Sequence, residues 1–99
     1  MRLSPEMTRV IQDAFVQVFE RGDLYLFGSR VDDARKGGDI DLYVDTDKRE
    51  RLGEKRIEFL ARIKRHIGDQ RIDLVVARGA KRSIDEIATR EGILLCQRH

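Results

Sequence analysis

Apolar residues recur along the chain at two different periods, and the switches between them mark its elements. Val10, Ile11, Ala14, Phe15, Val18 and Phe19 return at helical spacing and form one broad stripe, while Arg9, Gln12, Asp13, Gln17 and Glu20 face away. Ser4 then Pro5 gives this segment an N-cap followed by a proline at the first helical position, where its missing N–H costs nothing. Gly22, beside Arg21, is placed to end it. The stripe is core material and takes no chemical role.

From Leu24 the period changes. Leu24 to Phe27 is apolar throughout and too short for a helix, so it predicts a buried strand that ends in the turn Gly28-Ser29-Arg30. Arg30 to Gly38 is polar. Asp39 to Val44 then alternates, with Asp39, Asp41 and Tyr43 on one face and Ile40, Leu42 and Val44 on the other, because successive strand side chains point to opposite sides. The apolar face belongs to the core and the acidic face looks outward.

Helical spacing resumes in Leu52, Phe59, Leu60, Ile63 and Ile67, predicting an amphipathic helix from about Lys48 to His66. Asp47 and Glu50 form its candidate capping box, Gly68-Asp69 closes it, and Gly53 marks a close contact or a loose first turn. Arg71 to Val76 predicts a third strand with Ile72, Leu74 and Val76 on its core side and Asp73 with Val75 opposite. Ser83 with Glu86 opens a short helix through about Arg90 that stops at Gly92. Ile93 to Cys96 fits a last edge strand or a tail packed on the sheet.

The expected class is therefore α/β, in the α+β sense, with helices packed on one face of a small sheet. The 99 residues suit one domain spanning 1–99 and leave no room for a second. With 40% hydrophobic and 38% charged residues the chain reads as a globular protein with a heavily solvated surface. Twenty Lys plus Arg against eighteen Asp plus Glu, interspersed, leave a charge of only +2, which argues against a polyanion partner. At 6% aromatic and without Trp, the chain also has little to stack on bases, so direct nucleic-acid binding is not expected. Cys96 is the single cysteine and has no internal disulfide partner; no zinc-type Cys/His spacing, signal peptide or membrane-length apolar run is present, and the default location is cytoplasmic.

Chemistry enters through the carboxylates. Asp39 and Asp41 alone match many solvated sheet faces. Asp73 changes the balance, since its own alternation places it on the same face if the strands are neighbours. Two like charges about 4 Å apart repel by roughly 4 kcal/mol at an effective dielectric near 20, so three converging carboxylates call for protonation or a cation. Mg²⁺ suits this set, because it is commonly held by one or two carboxylates plus substrate phosphates. Gly28 and Ser29, at the end of a buried strand, fit close backbone approach to a phosphate, with hydroxyl and N–H donors for its oxygens. Arg30 can add a charge to that phosphate or form a surface ion pair. His66 and His99 read as helix-dipole partners or solvated side chains, Cys96 as packed, Tyr43 as a base contact or sheet filler, and Asp45 as a remote fourth carboxylate.

Gly28-Ser29-Arg30, Asp39-Ile40-Asp41-Leu42 and Arg71-Ile72-Asp73-Leu74-Val75, in this order and spacing, resemble the pattern of the polymerase-beta-like nucleotidyltransferase superfamily. The size resembles its minimal nucleotidyltransferase branch. The resemblance implies a mixed sheet flanked by helices that binds ATP with two Mg²⁺ ions and transfers AMP with loss of pyrophosphate. It assigns Gly28 and Ser29 to the outgoing phosphates and Asp39, Asp41 and Asp73 to metal, with Asp73 also able to take the acceptor's proton.

Members of the minimal branch act as antitoxins that add AMP to a tyrosine of a helical HEPN-type ribonuclease toxin, so such a partner is expected here, with homo- or hetero-oligomers open. Two other readings stand beside it. One is a non-enzymatic module that neutralises its HEPN partner by docking; the other is a transferase acting on a small-molecule hydroxyl.

Overall fold

The computed structural model describes residues 3–28, 39–68, 70–78 and 82–99. Its elements run α1 (Pro5–Phe19), β1 (Gly22–Phe27), β2 (Ile40–Asp45), α2 (Leu52–Ile67), β3 (Ile72–Val76), α3 (Ser83–Glu91) and β4 (Ile93–Arg98). The four strands form one mixed sheet in the order β3-β2-β1-β4; β1 is antiparallel to both neighbours, and β2 and β3 are parallel. The small mixed sheet that the family resemblance implies is thus present. None of the described helices is long and apolar enough to cross a membrane.

Each period buries what it predicts. Ile11, Phe15, Val18 and Phe19 of α1 and Phe59 and Ile63 of α2 pack on Leu24, Leu26, Ile40, Leu42, Val44, Ile72 and Leu74 from the sheet, which forms the main core. Ser4 caps α1 as its sequence implies, with Oγ accepting from the Met7 N–H at 3.0 Å. The Gln12 amide donates to the Leu95 carbonyl at 2.6 Å and ties α1 to β4, the edge strand formed by the last apolar run. A β-bulge shifts the β1–β4 register between Leu24 and Tyr25, and both Leu95 and Cys96 pack toward the main core.

Several boundaries differ from the expectations. Gly22 does not end α1; Glu20, at φ 72°, is its C-cap, and Gly22 begins β1 at φ +125°, where a Cβ would fall 2.3 Å from the Asp45 carbonyl oxygen. The Asp47–Glu50 capping box does not form. Thr46 takes over this corner, its hydroxyl donating to the Arg21 carbonyl at 2.7 Å and accepting from the Lys48 N–H at 3.1 Å, while Asp47 faces Arg21 at 3.2 Å. The helix consequently starts at Leu52, from Arg51 at φ 57°. Gly53 has open space around it, which makes it a first-turn residue rather than a close contact. At α3 the cap is not made by Ser83 and Glu86: Asp85, three residues into the helix, accepts from the N–H of the N-cap residue Arg82 at 2.6 Å.

The third helix also changes the sheet's second face. While α1 and α2 cover one face, Ala88 and Ile84 of α3 pack on the other, against Phe27, Tyr43, Ala77, Tyr25 and Val75. The face that alternation leaves outward is therefore covered along part of its length and open beside Asp39, Asp41 and Asp73.

Candidate active site

Parallel pairing of β2 and β3 decides the site. It sets Asp41 opposite Asp73, and Tyr43 opposite Val75, so the two aspartates share one face at the start of neighbouring strands. Asp39 stands two residues before Asp41, immediately ahead of β2. On the other side of Asp41, β1 ends at Phe27, which is its direct partner in the antiparallel register. Gly28 follows, and there the backbone turns at φ +78°.

Gly28 has a specific steric reason. A Cβ at this position would lie 2.2 Å from Asp41 Oδ2 and 3.0 Å from its Cγ, so the carboxylate occupies the space that any side chain would need. Replacing Gly28 by Ala is expected to cost about 1–2 kcal/mol from the left-handed backbone alone, and more from the displaced carboxylate. A double-mutant cycle separates the two parts. Gly28→Ala should cost less in an Asp41→Ala background than in the parent chain, measured by urea unfolding; equal costs would show that the close approach is not what requires glycine.

Three carboxylates on this patch act on one another. Burial, then the charges of Asp73 and Asp39, then a side-chain hydrogen bond with Asp73, push the Asp41 carboxyl above its ordinary range; Arg71 pulls in the opposite direction. The Arg71 Nε lies 3.8 Å from Asp39 Oδ2 and 3.7 Å from Asp73 Oδ1, spanning the two flanking carboxylates from an exposed position. Among the described residues, Arg71 is thus the positive charge that balances the patch. Among the described residues no group of three or more acidic, histidine or cysteine side chains is gathered tightly enough to hold a metal ion in this arrangement. The donor chemistry nevertheless fits one: oxygen-only ligands, mutually repelling, with a proton or an arginine taking the cation's place.

Not every sequence-derived candidate belongs here. Ser29 and Arg30 lie outside the described residues. Asp45 belongs to the far end of β2, opposite Asp23 and in a shallow cleft with Asp47 and Arg98, and does not join Asp39, Asp41 and Asp73. Cys96 is half-buried, with burial pushing its thiol up. His99 faces Asp23 at 3.4 Å.

Tyr43 is not a base contact but a strut. It is 3% exposed, and its hydroxyl donates to Asp85 Oδ1 at 2.7 Å. Arg82 donates to the same carboxylate, Nε to Oδ2 at 3.1 Å, and to the Val76 carbonyl at 3.1 Å. Hydrogen bonds from Arg82 and then Tyr43 hold the Asp85 carboxyl well below the usual carboxylate range, while burial and then the bond to Asp85 push the Tyr43 phenol up. This buried link pins α3 on the strands that carry Asp41 and Asp73. The sequence does not announce it: Tyr43 reads as a base contact or a sheet filler, and no spacing rule pairs it with Asp85 until α3 is known to lie on this face.

Residues 11–99, nearly the whole chain, match the family model described as Polymerase beta, Nucleotidyltransferase. Among curated proteins none matches the chain.

Proposed function

The chain belongs to the polymerase beta nucleotidyltransferase family, and we propose on that footing that it transfers AMP from ATP to a hydroxyl of a partner protein, as the antitoxin of a HEPN-type helical toxin. The observation that carries the transfer reading is the register of Asp41 against Asp73, with Asp39 two residues upstream and Gly28 abutting Asp41. Asp39, Asp41 and Asp73 are the residues to hold Mg²⁺, two ions by the family pattern. Bound there, the metal supplies positive charge at the attacking and leaving oxygens of an in-line displacement.

The chain's own groups do the rest. The Gly28 turn lets backbone approach the triphosphate, with Ser29 assigned to its oxygens by the motif and Arg30 adding a positive charge beside them. In this reading Asp73 takes the acceptor's proton as the hydroxyl oxygen bonds to the α-phosphorus. The bond from that phosphorus to the bridging oxygen breaks and pyrophosphate leaves. Such transfer depends chiefly on positioning and charge neutralisation, which two parallel strands in fixed register can provide. The HEPN partner is taken from the likeness of Gly28-Ser29-Arg30, Asp39-Ile40-Asp41 and Asp73 to the minimal nucleotidyltransferase pattern.

Intact mass of a co-expressed HEPN-type partner tests the proposal. Its mass should rise by whole AMP units with the parent chain and stay unmodified with Asp39→Asn/Asp41→Asn. A partner that is neutralised but unmodified in both cases overturns transfer in favour of docking.

A further inference from the structure

Beyond the carboxylates, β3 continues into a groove of about 350 Å³ that the transfer reading does not use. Its polar lining is entirely arginine: Arg49, Arg56, Arg78 and Arg82. Two of these are held in place by consecutive carbonyls at the end of the strand. Arg82 donates to the Val76 oxygen at 3.1 Å, and Arg49 to the Ala77 oxygen at 2.8 Å. Arg56 and Arg78 are exposed, and of the four only Arg82 has a carboxylate partner among the described residues. Four guanidinium groups against one carboxylate make a strong local surplus in a chain whose net charge is only +2.

The rest of the groove has a different character. Leu52, Leu74, Val75 and Val76 complete it, and among the described residues β3 is the terminal strand of the sheet, with one side unpaired. Val75 lies two residues beyond Asp73 on the same strand face, about 7 Å away at strand spacing. The groove therefore leads along the sheet edge to the carboxylate that takes the acceptor's proton in the transfer reading.

We propose that this edge is the acceptor-side binding surface and takes an extended acidic polypeptide segment, whose hydroxyl reaches Asp73 while its carboxylates meet the arginines. This rests on the transfer reading and specifies its acceptor. An unpaired strand edge supplies main-chain pairing for an added strand, and planar guanidinium forks match carboxylates. A single-stranded nucleic acid fits less well, because no aromatic side chain lines the groove to stack its bases.

Fluorescence anisotropy, run in EDTA without ATP so that no transfer occurs, tests the surface separately from catalysis. The probes are a short tyrosine peptide flanked by glutamates, the same peptide with glutamines, and a single-stranded RNA of matching length. The glutamate peptide should bind the unaltered chain about tenfold tighter than the glutamine peptide at low salt, with the preference shrinking as salt rises. Arg56→Glu/Arg78→Glu should abolish the preference, and Arg56→Lys/Arg78→Lys should keep part of it. Equal affinity for both peptides, or no binding, leaves the arginines only to discourage strand pairing between copies and overturns the proposal. So does RNA binding tighter than the acidic peptide. The peptide comparison uses the unaltered chain, so it decides even if the charge-reversed variant misfolds. Adding ATP and Mg²⁺ then divides the two ideas: an acidic peptide that binds but gains no AMP supports the surface and counts against transfer, whereas AMP added equally to both peptides supports transfer and overturns the surface.

Discussion

Asp41→Asn is expected to lower the rate of AMP transfer by about a thousandfold or more while leaving the fold as stable as the parent, or more so. The loss follows from charge. A carboxylate that holds a metal at the reacting phosphate contributes several kcal/mol to the transition state, and each 1.36 kcal/mol is a factor of ten. The retained stability follows from the same patch, because Asp41 is crowded by Asp73 and Asp39 and only partly relieved by Arg71. Its raised carboxyl makes the folded state hold the proton more tightly than the unfolded chain. That contribution favours folding below the ordinary value of 3.8 and is lost as pH rises through the raised one. Asp85 works in the opposite sense, contributing stability above the ordinary carboxylate range that is lost only in strong acid. Asn at position 41 removes the first contribution and keeps the second. The stability advantage of the variant should therefore grow as pH rises above the ordinary value of 3.8, read from urea midpoints. A variant that keeps transfer within about tenfold of the parent would remove Asp41 from the chemistry.

The residues of that patch were legible in the sequence for a simple reason. Strand alternation is a local rule, and Asp39-Ile40-Asp41-Leu42 and Ile72-Asp73-Leu74 obey it, so the only long-range fact needed was that β2 and β3 are neighbours. Features that depend on two distant segments meeting were not legible. Tyr43 and Asp85 lie 42 residues apart and no local pattern pairs them, yet each is nearly fully buried because it satisfies the other. Arg49 and Arg56 lie before and within α2, Arg78 and Arg82 after β3, and singly each reads as a solvated charge. They converge because α2 begins beside the end of β3. The start of α2 departs from the pattern for a related reason: Asp47 has the right spacing to cap a helix, but Thr46 takes the Lys48 N–H and Arg21, from the preceding corner, engages the Asp47 carboxylate.

Phe59→Ala is expected to destabilise the fold by about 3–5 kcal/mol, a large share of what holds a domain of this size together. Phe59 is fully buried, and its ring meets Phe19 edge to face at 5.4 Å, with Phe15 stacked beyond at 5.8 Å from Phe19. Within the sixteen residues of α2 only Phe59 and Ile63 are fully buried, with Leu52, Leu60 and Ile67 packed on the core at its margin, so Phe59 is the largest anchor of the helix. Domains of this kind have about 5–15 kcal/mol in total, and each kcal/mol shifts the melting temperature by about 4–8 °C at this size. A fall of roughly 15–30 °C should follow in calorimetry. Ile57→Ala is the control, since Ile57 lies on the same helix but is 71% exposed, and it should change stability by less than about 0.5 kcal/mol. The consequence reaches the site because α2 is the crossover between β2 and β3, the strands that bring Asp41 and Asp73 into register. Transfer by Phe59→Ala should accordingly fall away in parallel with unfolding as temperature rises, and match the parent's dependence on Mg²⁺ while the fold is intact. A variant that melts within about 5 °C of the parent would show that α2 is held by something other than this aromatic contact.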